Sequence, residues 1–134
     1  MSASKAPLTK PIHALPYGRI RIEAVVLDDG SCPAEEFLNG LDEEKTAKMK
    51  ALFNLFVEMH PRQMSDQKFK KIEGTTDLFE FKSFQIRMPC FFASGGRILL
   101  THGLTKKQDR LPPNEITRAK VIKGVFERRT LSHG

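Results

Sequence analysis

The chain has only two cysteines, Cys32 and Cys90, far apart and in no CxxC spacing, so the sequence suggests neither a disulfide framework nor a zinc site. Both are expected to be reduced and packed. No apolar run approaches the ~18 residues of a membrane span, and residues 1–18 lack the unbroken apolar stretch of a secretory signal. These absences point to a cytoplasmic protein with no membrane partner. No internal repeat is visible. At 134 residues with 40% hydrophobic composition, the chain is expected to form one domain around one core.

What is plentiful is positive charge, and it is unevenly placed. Residues 1–60 hold 7 Lys+Arg against 9 Asp+Glu, whereas residues 61–134 hold 15 against 7, a net +8 in the second half. Such asymmetry points to a polyanion, most often nucleic acid, or to an acidic protein that covers the basic surface. Charge alone leaves both open.

Residues 1–18, with Pro7, Pro11 and Pro16, resist helix and sheet and are expected to form a flexible arm. The domain proper is expected over 19–127, followed by a flexible tail over 128–134. "RIRIEAVVL" alternates with Ile20, Ile22, Ala24 and Val26 on one face, a first strand that ends in the turn signal Asp28-Asp29-Gly30. A short helix follows, with Pro33 at its first position and Gly40 after its end. A longer helix has Met49, Leu52, Phe53 and Phe56 at helical offsets, acids at its start and Pro61 at its close. "DLFEFKSF", "QIRMPCFFAS" and "RILLTHGLT" read as three further strands, the last two joined at Gly95-Gly96 as an antiparallel hairpin. Pro89 cannot donate a ladder hydrogen bond, so a bulge or a locally free N–H position is expected there. A final helix begins at Pro113 with Ile116, Ala119, Ile122 and Phe126 facing inward. The predicted fold class is α+β: a first strand, two helices, a three-strand meander and a C-terminal helix, on a small antiparallel-rich sheet.

On this layout Lys82 ends the second strand, Arg87 lies on the third, and Lys106 and Lys107 end the fourth, so that together they can meet at one edge of the sheet. Strand alternation sends at most one of Lys106 and Lys107 to a given face. Any single lysine reads best as a surface charge; the four together do not. His102 shares a predicted strand face with Ile98, Leu100 and Leu104, where a hydrogen-bonded core histidine is the better reading than a proton shuttle. His60, at the end of the long helix, reads as structural. Alternation and number make core packing the default for Phe79, Phe81, Phe91 and Phe92.

The stretch "LFEFKSFQIRMPCFFASGGRILLTHGLTKKQDRLPPNEITRAK" resembles the RelE/HigB-like toxins of type II toxin-antitoxin systems, in particular their phage-associated branch. It is similar to that family's succession of Leu-aromatic-Glu-x-Arg, Tyr-Arg-x-x-aromatic, an apolar strand ending His-Gly-Phe-x-Lys-Lys, and Pro-x-x-Glu-Ile-x-x-Ala. The resemblance runs from about Arg19 to Phe126. It implies a RelE-like fold and a ribonuclease that needs no metal or other cofactor, acts on mRNA in the ribosomal A site and inhibits translation. Cleavage would proceed by attack of a ribose 2′-hydroxyl on the adjacent phosphate. It also implies a cognate antitoxin, often a small helix-turn-helix protein.

By the same resemblance Arg87 would neutralise the phosphorane, a task suited to its fixed fork of donors. Lys82 would bind phosphate or, with its pKa depressed by neighbouring cations, act as base. Lys107 and His102 complete the candidate catalytic set, and Lys106, Arg110, Arg97, Lys70 and Lys71 are the candidate RNA contacts. Arg87→Ala is expected to abolish growth arrest with the fold intact. Three positions depart from the family pattern: Glu80 stands where ribosome-dependent members can carry a lysine, Gln85 replaces a tyrosine, and the single tyrosine is Tyr17, the tail "ERRTLSHG" offering only His133. The alternatives are a non-catalytic RNA-, ribosome- or protein-binding module on the same fold, or a phage-derived accessory protein.

Overall fold

Arg21–Val25 forms the strand expected at the start of the domain, but it is the second strand of the sheet rather than the first. The computed structural model describes residues 6–59, 64–106 and 110–133. Their order is β1 (Thr9–Ala14), β2 (Arg21–Val25), α1 (Pro33–Asn39), α2 (Glu43–Glu58), β3 (Phe69–Lys71), β4 (Phe79–Ser83), β5 (Ile86–Ala93), β6 (Arg97–Leu100), β7 (Leu104–Thr105) and α3 (Pro113–His133). The strands form one sheet in the order β1-β2-β6-β5-β4-β3, with β7 pairing with β5 beyond the end of β6. All pairs are antiparallel except β2 with β6. The class is α+β, as the sequence suggests.

Both faces of the sheet are covered. On one, α1 and α2 bury Phe53 and Phe56 against Ile22, Phe81, Met88, Ile98 and Leu100. Phe81 lies edge-on to Phe53 and Phe56 at 5.2 and 4.9 Å between centroids, an arrangement aromatic rings prefer. On the other face, α3 lays Ala119, Ile122 and Phe126 on Val25, Phe91 and Leu99. A sheet covered on both sides buries alternate residues in opposite cores, which is why Ala24 and Val25 are both inaccessible to solvent. Cys32 and Cys90 are buried and unpaired.

Within the described residues, both ends expected to be flexible carry secondary structure, and each fixes the other. Part of the proline-rich arm is β1, paired from Thr9↔Val25 to Ala14↔Arg21 with a register irregularity between Pro11 and His13. Proline is tolerated because β1 is an edge strand. At the other end, residues 128–133 continue α3 instead of forming a tail. Arg129, 6% exposed, donates through Nη1 to the Val26 and Pro7 carbonyls and through Nη2 to that of Ala6. The sequence showed neither, since no local pattern marks a contact across some 120 residues.

The turn chemistry is as expected at the β5–β6 hairpin, where Gly95 and Gly96 have φ of 80° and 72°. Gly96 has a second constraint: a Cβ there would lie 2.2 Å from the Arg19 carbonyl oxygen. Pro61 and His60 lie outside the described residues. No bulge appears at Pro89, whose pairing with Glu80 is in register. Its missing N–H is accommodated where β6 stops: Thr101 leaves the ladder and donates from its backbone N to the Pro89 carbonyl.

Candidate nucleic-acid interface

The break after β6 decides the geometry of the basic residues. In an unbroken strand, Lys106 would share a face with Ile98 and Leu100, which pack under α1 and α2. Instead residues 101–103 loop out, and β7 rejoins β5 with Ile86↔Thr105 and Arg87↔Leu104. Leu104 now packs in the α3-side core, and Lys106 follows it onto that face. Gly103 permits the detour, because a Cβ there would overlap the Phe37 ring at 2.2 Å.

The same face receives Arg87, which is opposite Lys82 in the β4–β5 ladder, and Glu80, which is opposite Lys70 in the β3–β4 ladder. Four cations from four strand segments thus surround one carboxylate. Glu80 is 2% exposed, Arg87 8% and Lys106 6%. Glu80 Oε1 lies 3.7 Å from Arg87 Nε, and neither atom has a hydrogen-bond partner among the described residues.

Burial pushes the Glu80 carboxyl up from its ordinary value, against the opposing pull of Lys106, Arg87, Lys70 and Lys82. Burial pushes the Lys106 ammonium down; Arg87 adds to this, and Glu80 opposes it. An amine shifted this way is a better proton acceptor near neutral pH than an ordinary lysine. Lys82 Nζ donates to the Asp66 carbonyl at 3.2 Å.

Arg87 also has a structural task. Its Nη1 donates to the carbonyls of Phe84, at 2.5 Å, and Ile86, at 2.8 Å. Phe84 occupies the two-residue turn between β4 and β5 with φ 54°. Glycine is the usual residue for that conformation, and an L side chain in it costs about 1–2 kcal/mol.

Other candidates lie elsewhere. Arg97 pairs with Ala93, six residues along β5 from Arg87 and so about 20 Å away; it donates to Ser94 O and lies over the Phe126 ring. His102 is fully buried, its Nδ1 2.9 Å from Thr101 Oγ1 and its Nε2 2.9 Å from Glu115 Oε1. With both ring nitrogens engaged, it joins the β6–β7 loop to α3 and is not at the cation cluster. It shares no strand face with Leu104, because the loop has broken the alternation. Lys71 is one residue out of phase with Lys70 and points to the opposite face. Arg110 pairs with Glu73, and with Lys70 it lines an open cavity of about 460 Å³ beside Leu111 and Ile116. Lys107 lies outside the described residues, as does the side chain of His133.

Glu80 was legible only as a departure from a pattern, although a lone acid between Phe79 and Phe81 on an alternating strand already signals a polar group beneath one face. Phe84 carried no signal until the register placed it in the turn. Among the described residues no group of three or more His, Cys, Asp or Glu side chains is arranged to hold a metal, and no helix is long and apolar enough to cross a membrane.

Residues 36–123, well over half of the chain, match the model of the family described as phage derived protein Gp49-like (DUF891). The chain belongs to the Gp49-like family. That family lies within the RelE/ParE-type toxin superfamily. No curated protein matches the chain. The Gp49-like match covers Lys70, Glu80, Lys82, Arg87 and Lys106 and the first half of α3, and leaves β1 and β2 outside.

Proposed function

We propose that this Gp49-like protein is the toxin of a type II toxin-antitoxin system of the RelE/HigB kind, an endoribonuclease that cuts mRNA in the ribosomal A site. The observation that supports this reading best is the meeting of Lys70, Lys82, Arg87 and Lys106 around Glu80 on one face of the sheet. A surface that only needed solubility would spread these charges; concentrating them over a buried carboxylate costs desolvation and suits a polyanionic ligand.

In this reading the neutral amine of Lys106 takes the proton of the ribose 2′-hydroxyl as that oxygen attacks the adjacent phosphorus. Arg87 neutralises the charge on the phosphorane. The bond from phosphorus to the 5′ oxygen breaks, and that oxygen takes a proton from water, leaving a 2′,3′-cyclic phosphate and a free 5′-hydroxyl. Lys70 and Lys82 bind flanking phosphates. Glu80 touches no substrate; it is a positioning residue that holds Arg87 and Lys106 together against their repulsion. A cognate antitoxin would neutralise the protein by covering this face.

A second reading, an RNA- or ribosome-binding module without cleavage, is favoured by the deep burial of Arg87 and Lys106. A translation reaction on defined mRNA, with 5′ ends mapped by primer extension and ribosome-free mRNA alongside, separates the two. Ribosome-dependent cuts with wild type and none with Lys106→Met support the nuclease. Intact mRNA with salt-sensitive RNA binding supports the module.

A further inference from the structure

Among the described residues, Phe84 is a large aromatic side chain beside the β4–β5 turn that neither hydrophobic core takes up. Its ring is 77% exposed, and its backbone is in a left-handed conformation that disfavours any side chain. The folded state therefore gives up stability to hold a phenylalanine at this turn and recovers little of it through burial. Strain kept without a return in packing is a mark of a functional position.

The surroundings say what the ring would meet. It separates two open concavities. One, of about 310 Å³, includes Lys45, Lys48, Gln85, Ile86 and Thr105; the other, of about 550 Å³, includes Leu52, Leu55, Gln67, Lys68 and Lys82. Lys48 Nζ stands 4.2 Å from the ring centroid and is also paired with Glu44, as Lys45 is with Asp42. The rim is thus rich in lysine around an apolar wall. Two links tie this place to the cluster: the Phe84 carbonyl accepts from Arg87, and Lys82 both lines the larger concavity and acts on Glu80.

We infer that Phe84, at the end of the sheet on the α2 side, is a stacking platform for an unpaired base of single-stranded RNA whose backbone passes round the β4–β5 turn to the phosphate bound at Arg87 on the opposite face. The inference rests on the reading of the basic face as an RNA site. An exposed aromatic face flanked by lysines is the arrangement that binds single strands through stacking and backbone charge together. A base stacked on such a ring typically contributes enough to change affinity by roughly 5- to 150-fold, with every 1.4 kcal/mol a factor of ten.

The test is equilibrium binding of a fluorescent, 2′-O-methylated single-stranded oligonucleotide, which cannot be cleaved, to wild type, Phe84→Gly and Phe84→Trp. Thermal unfolding of each variant is followed alongside. Phe84→Gly is expected to fold with a Tm within a few degrees of wild type, because glycine accepts the turn, and to bind at least about 5-fold more weakly. Phe84→Trp is expected to retain affinity. An oligonucleotide with an abasic site at the stacked position should bind wild type as weakly as the intact one binds Phe84→Gly, with the salt slope unchanged. Equal affinity for wild type and a folded Phe84→Gly, with salt-sensitive binding to both, overturns the platform, leaves the basic-face reading in place and gives the ring to a protein contact. No salt-sensitive RNA binding by wild type overturns the basic-face reading itself.

Discussion

Arg87→Ala is the obvious substitution for testing the basic face, and the structure shows why it must not be used alone. The guanidinium holds the β4–β5 turn through the carbonyls of Phe84 and Ile86 and stands beside the buried Glu80. Two lost hydrogen bonds cost about 1–3 kcal/mol together. Removing the positive partner of a buried carboxylate raises the total to about 3–5 kcal/mol. Against a total stability of ~5–15 kcal/mol, such a loss reduces the amount of folded protein in a cell. These contacts argue against the expectation that the fold survives this change untouched, and lost growth arrest alone proves nothing about chemistry. Arg87→Lys is the discriminating variant, because it keeps the charge near Glu80 and loses the fork. Urea denaturation should place it about 1–3 kcal/mol below wild type. In a translation reaction at a temperature where both are folded, it should cut mRNA some 10²–10³ times more slowly, the loss typical for one oxyanion donor. A wild-type cleavage rate for Arg87→Lys would refute the assignment of the phosphate to the guanidinium. A wild-type stability for Arg87→Ala would refute the account of the turn.

Three other outcomes are expected. Gly96→Ala should be destabilised by more than 3 kcal/mol, since a disfavoured φ costs ~1–2 kcal/mol and its Cβ would strike the Arg19 carbonyl; Gly95→Ala, with a similar φ but only Arg21 Nη2 at 3.9 Å, should lose about 1–2 kcal/mol, and equal losses in urea melts would refute the clash. His102 is held neutral mainly by burial, against the pull of its Glu115 hydrogen bond, so its folded pKa lies below its unfolded value of about 6.5. The stability this provides is present above that value and is lost as pH falls through the folded pKa; His102→Gln should flatten the acid side of the stability profile, and an unchanged slope would count against it. Finally, Glu80→Gln removes a charge that holds the Lys106 pKa up, so the acid limb of the cleavage profile should move to lower pH; a limb that stays in place would remove Lys106 as the base.

The elements most legible in the sequence were those whose signals are local. Pro33, the acids of α1 and α2 and the Gly95-Gly96 turn each encode an element within a few residues. What escaped depends on distant partners. Thr9–Ala14 carries three residues with weak strand preference and a proline, and it becomes a strand because β2 offers an open edge and Arg129 secures the chain before it. Phe69–Lys71 is too short to show an alternating pattern, and it exists because Phe79–Phe81 lies opposite it.

The four cations of the site were legible; what the sequence left open was parity, that is, which of Lys106 and Lys107 faces Arg87. Reading "RILLTHGLTKK" as one strand assigns every second residue to one face, so Lys106 falls with Ile98, Leu100 and His102, away from Arg87. A three-residue departure from the ladder inverts that assignment for everything after it. The departure has causes that are visible only in space: Pro89 accepts from Thr101 but has no N–H to give, Glu115 on α3 takes the His102 ring, and Phe37 fills the place of a side chain at Gly103. The histidine that the sequence proposed for catalysis thus helps to create the loop that brings Lys106 to Arg87. Glu80, a departure from the family pattern, becomes intelligible in the same way, because once Lys106 crosses to that face three further cations surround the position and a fourth lysine there would have no counter-charge.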